Sequence, residues 1–129
     1  MTILASNTTA AQIHFGDDAM SNTGMIQYWN NTNSMVFSTN GGSERMRIDS
    51  NGNVGIGTVS PNRTLQVNSG GANIVATFES SDTLSRISFV DSNTSSDSIV
   101  QIGAAGNELV LFAGGAEHVR VDSTGVVGS

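Results

Sequence analysis

Two adjacent carboxylates, Asp17 and Asp18, come closest in type to the acid and nucleophile pair of a polysaccharide-cleaving enzyme. That chemistry needs carboxyl groups held several ångströms apart across a sugar, whereas neighbours on an extended chain point in opposite directions, so a solvated turn is the favoured reading. Trp29 and Tyr28 suggest recognition instead. A flat ring among polar groups, here Gln27, Asn30, Asn31 and Asp17, suits a sugar face, which makes Trp29, Tyr28 and Asp17 the candidate glycan-binding set. Because the two aromatics alternate across a strand, one ring faces away from any core unless another chain covers it, and interchain packing is the competing role. The segment 49–53, DSNGN, has calcium-loop letters but not the spacing: Gly52 stands fourth instead of sixth, and Ser60 occupies the place of the bidentate Glu. His14 and His118 have no second ligand at metal spacing; each is expected as an outward strand residue unless a threefold axis triples it. Gly55 and Gly57 lack the third glycine and following helix of a nucleotide loop, since Pro61 intervenes, so they are expected to permit close backbone approach. No catalytic residue, metal or cofactor is expected.

These residues must be held by strands. Around Asn51-Gly52, Met46 and Ile48 alternate with Arg45 and Arg47, and Val54 and Ile56 resume the alternation, which predicts a hairpin closed by a type I′ turn with the arginines facing water. The same pattern returns: residues 117–128 match 44–55 at an offset of 73, with Arg120 over Arg47, Asp122 over Asp49 and Gly125 over Gly52. Upstream the offset is 74, placing Ile13 over Ile87, Ile26 over Val100 and residues 33–37 over 107–111, with one deletion near Gly41 and Gly42. The chain therefore reads as all-β: two tandem four-strand repeats, forming an elongated fibre-like or interleaved β module. Residues 1–10 are a lead-in, 11–57 the first repeat, 58–84 a connector with short strands at 64–68 and 73–78, and 85–129 the second repeat. Strands recur about every ten residues, and no helix-length connection exists for a parallel crossover.

Composition supports the class. Ser, Thr and Asn supply 43 of 129 residues, Lys is absent, Pro occurs once and no helical apolar period is sustained. A net charge of −6 with five scattered arginines argues against nucleic acid. Neither a transmembrane run nor a signal-peptide pattern occurs, so no membrane insertion is expected. There are no cysteines, and each repeat is near the size below which disulfides, metals or association are needed for stability. Association is the remaining route, with Ile13, Phe15, Met46, Ile48, Val119 and Val121 pooled into a core shared between chains.

The run 44–61, ERMRIDSNGNVGIGTVSP, followed by Leu65, Gln66 and Val67, resembles the repeat of bacteriophage tail fibres and related virion appendages, where it commonly lies upstream of an intramolecular chaperone domain. The resemblance is specific over residues 43–67, weaker over 118–128 and architectural elsewhere. It implies a homotrimeric fibre shaft or adhesin, located in the virion's tail or head fibre, that contacts other virion proteins and presents a surface to host glycans. The resulting expectation is a non-enzymatic structural protein. The alternatives are a carbohydrate-binding module around Trp29 and, less favoured, a depolymerase using Asp17 or Asp18.

Overall fold

A computed structural model describes residues 3–20 and 23–128. Residues 1 and 2 of the expected lead-in, 21 and 22 of the first loop, and 129 of the second repeat lie outside the described residues. The chain is all-β and divides into Met1–Ala76 and Thr77–Ser129, a division inside the expected connector.

The first unit is one six-stranded sheet in chain order: β1 (Ala10–Phe15), β2 (Gly24–Trp29), β3 (Ser34–Thr39), β4 (Ser43–Ile48), β5 (Val54–Ile56) and β6 (Leu65–Val67). The second is a five-stranded meander: β7 (Leu84–Ser88), β8 (Gln101–Ala105), β9 (Glu108–Ala113), β10 (Ala116–Val121) and β11 (Val127–Gly128). The repeat is thus five strands rather than four, because the returning arm of each hairpin, β5 or β11, also joins the ladder.

Three local expectations are corrected. First, the turn after β4 is not type I′. Gly52 N–H donates to Asp49 C=O at 3.0 Å, and only Gly52 takes a positive φ (82°) in that turn, so it is a three-residue loop ending in a left-handed glycine. Type I′ occurs instead at Gly114-Gly115, whose φ values of 59° and 80° join β9 to β10. Second, β5 and β6 pair in parallel without any helix between them. Residues 57–64 make that crossing, because Gly57 N–H bonds Arg45 C=O at 2.9 Å and Pro61 is buried beside Gly55. A Cβ on Gly57 would lie 2.1 Å from Asn68 O, and one on Gly55 2.7 Å from Thr58 O, so both glycines are required by close approach. Third, residues 73–78 form no strand although their sequence, NIVATF, predicts one.

The repeat is visible in the ladders. The loop between β3 and β4 has three residues, Asn40, Gly41 and Gly42, against two between β9 and β10, which is the expected deletion. Ile26, however, does not correspond to Val100. Ile13 pairs Ile26 while Ile87 pairs Ile102, because the loop before β8 is longer and the two-residue turn after it is shorter. The two changes cancel downstream, so an alignment by constant offset passes over them. The shift is two residues and leaves each side chain on its original face.

Candidate interaction surface

The register assembles one continuous apolar face on each sheet. In the first unit, Ile13, Ile26, Phe37, Met46, Ile56 and Val67 align across all six strands. Beside them runs a second row: Ala11, Tyr28, Met35, Ile48, Val54 and Leu65. In the second unit Ile87, Ile102, Leu111 and Val119 form one row, and Ala104, Leu109, Val121 and Val127 most of another. All six residues expected to pool into a shared core lie on these faces. A single chain covers them only in part: Ile13 is 40% and Phe15 54% exposed, and Met46, Ile48, Val119 and Val121 are half-buried. A shallow depression of about 220 Å³ opens among Ile3, Ala11, Ile13, Ile26, Tyr28 and Met35.

The opposite face of each sheet is closed by its own side chains. Val36 and Val110 are the only buried aliphatic side chains on the strands among the described residues, and they occupy the same place in the two repeats. Arg47 stands across the ladder from Val36, and Arg120 from Val110. Arg47 donates through Nε and Nη2 to the two oxygens of Glu44 at 2.8 and 2.7 Å; Arg120 donates likewise to Glu117 at 2.6 and 2.7 Å. Residues three apart on a strand should point to opposite faces. A β-bulge at Arg45, and its counterpart at His118, inserts one extra residue and returns Glu44 and Glu117 to the arginine's side. The expectation that Arg47 simply faces water is therefore corrected: its side chain is 19% exposed, and the bond to Glu44 raises its pKa. The bond from Arg120 holds Glu117 below the ordinary carboxylate range.

Each hairpin turn is held by one aspartate. Asp49 Oδ1 accepts from Asn51 N–H and Asn53 N–H at 2.8 and 2.9 Å, and Asp122 Oδ1 from Thr124 N–H and Val126 N–H at 2.8 and 2.9 Å. Both carboxyls lie below their ordinary pKa, chiefly through the Asn53 amide for Asp49 and the Thr124 hydroxyl for Asp122. Thr94 and the Asn93 amide do the same for Asp91.

The glycan-binding set is not assembled. Tyr28 lies on the apolar face, its hydroxyl donating to Asn33 Oδ1 at 3.3 Å, while Trp29 is on the ion-paired face beside Ala10 and Ser34. Asp17 lies beyond Phe15, which pairs Gly24 at the end of β2 roughly 16 Å from Trp29 at the strand rise. Its Oδ1 accepts from Ala19 N–H at 3.0 Å and Met20 N–H at 2.8 Å, folding its own loop. Asn30 is also engaged, donating to Ser6 and Thr9 carbonyls at 3.1 and 2.8 Å and tying down part of the lead-in. His14 is exposed and bonded to Gln12, and His118 is the exposed bulge residue. No cluster of three potential metal ligands occurs among the described residues, and no helix there is long and apolar enough to cross a membrane.

Sequence reasoning missed the Glu–Arg–Val cover, although Glu44, Arg47, Glu117 and Arg120 recur in register; only the bulge makes them partners. The chain matches no protein-family model and no curated protein.

Proposed function

We propose that this chain is a non-catalytic structural segment of a virion fibre, a homotrimer in which copies of the apolar faces form a core that a single chain lacks. The observation that carries this reading is the partly covered apolar face repeated on both sheets. The accessible surface is 9066 Å². Two separate compact bodies of the same total mass would expose about 7,800 Å². The excess, roughly 1,300 Å² per chain, exceeds the roughly 800 Å² that each partner buries in an ordinary stable interface. The hairpin resemblance to tail-fibre repeats supplies the biological setting: a shaft contacting other virion proteins and presenting a surface to host glycans. Three copies would turn weak surface contacts into avidity. The separation of Asp17 from Trp29 disfavours a preformed sugar pocket made from both.

Sedimentation equilibrium with thermal unfolding at two protein concentrations tests the reading. A species of three times 13.4 kDa, with a melting temperature that rises with concentration, is the expected result. Phe37→Asp and Leu111→Asp, at equivalent places on the two apolar faces, should each dissociate it, because a carboxylate cannot be desolvated there without a partner. A folded monomer would overturn the proposal.

A further inference from the structure

We infer that residues 73–78 are a strand completed only by a second copy of this chain, pairing along an open sheet edge. This inference rests on the oligomeric reading above and names a further contact within it. Asn73, Ile74, Val75, Ala76, Thr77 and Phe78 have strong β-propensity, carry no charge and contain neither Pro nor Gly. The other strands expected from the sequence find a ladder, whereas this segment forms none and lies exposed, with Ile74 77% and Phe78 65% accessible. Among the described residues, no backbone group from 73 to 77 makes a hydrogen bond; on either side, Ala72 C=O accepts from the Ser69 hydroxyl at 2.8 Å and Phe78 C=O from the Ser85 hydroxyl at 2.6 Å. An uncharged six-residue segment of this kind, left open, has the composition of an aggregating strand, so a native partner removes a hazard as well as adding bonds.

The occupant follows from what the fold leaves open. Each sheet ends in unpaired edges: β1 and β6 in one, β7 and β11 in the other. A six-residue strand needs an edge of similar length, and only β1, with six residues, and β7, with five, provide one. In the chain's own fold the segment does not ladder onto either. Identical copies supply both edge and strand in equal number, which closes the stoichiometry without another partner.

Hydrogen exchange of the full chain, read by mass spectrometry above and below its association midpoint, tests the inference. Exchange across residues 73–78 should slow by about tenfold or more on assembly, with matching protection on β1 or β7. Val75→Pro removes one ladder donor from a segment that makes no such bond within its own chain, and should weaken association by about tenfold while leaving the monomer's fold intact. Full exchange of 73–78 in the assembled protein, or unchanged association of Val75→Pro, would overturn this inference and leave the shared apolar core standing. Protection already complete in the monomer would overturn it in favour of pairing within one chain. A chain monomeric at every concentration would overturn both readings.

Discussion

Arg47 and Arg120 stand at the same place in the two repeats, and their surroundings differ by one residue. In the first unit the third contact is the Ser34 hydroxyl, 3.4 Å from Arg47 Nη1; in the second it is Glu108, bonded to Arg120 Nη1. The first site is one closed ion pair, and the second holds one guanidinium between two carboxylates. The other difference is at the end of the sheet, where β6 pairs with β5 after a glycine-dependent crossing, while β11 has no such neighbour among the described residues. The units share a scheme, an arginine over one buried valine with an aspartate-held turn beside it, and vary what surrounds it. The shared parts are those that fold each sheet, and the variable ones bear on how strongly each is held.

Substitutions at matched positions sharpen this comparison. The largest contrast is expected from Gly55→Ala against Gly128→Ala, which align in the repeat. A methyl at 55 would lie 2.7 Å from Thr58 O, while one at 128 meets nothing within 4 Å. Unfolding titrations should give a loss of about 3 kcal/mol for the first and under about 0.5 kcal/mol for the second. Equal losses would mean that the two units end alike.

Val36→Ala and Val110→Ala should instead match, each costing about 2 kcal/mol for two lost methyl equivalents and the cavity left behind. A difference of more than about 1 kcal/mol between them would break the equivalence of the two covered faces.

Asp49→Ala and Asp122→Ala come next. Both carboxyls titrate below their unfolded values, so their contribution is present at neutral pH and is lost as pH falls through the folded values, below about pH 4. Each variant should melt earlier than the parent at pH 7 and close to it near pH 2. Asp91 and Glu117 act in the same direction, so the parent protein should itself lose stability on acidification.

The smallest effect is expected from Arg120→Ala compared with Arg47→Ala. Removing Arg120 leaves Glu108 and Glu117 facing each other, whereas removing Arg47 leaves Glu44 alone. The deficit in melting temperature of Arg120→Ala should therefore shrink more as salt is added, because salt screens the repulsion between the two carboxylates. Parallel salt profiles for the two variants would mean that Glu108 contributes nothing at that site.

What the sequence determined by itself was local. Alternation of apolar and polar residues marks most of the strands, Asp and Gly at a fixed interval mark the two hairpin turns, and their recurrence marks the repeat, because each depends on neighbours a few positions apart. The tertiary structure alone decided the pairings. It moved Ile102 into the place expected for Val100, ran β6 parallel to β5, and used a one-residue bulge to bring Glu44 and Glu117 over to their arginines. It separated Asp17 from Trp29 and left residues 73–78 without a ladder. Ladder register and strand partnership are set by hydrogen bonds between distant segments and by loop lengths that compensate one another, and a short window of sequence contains neither.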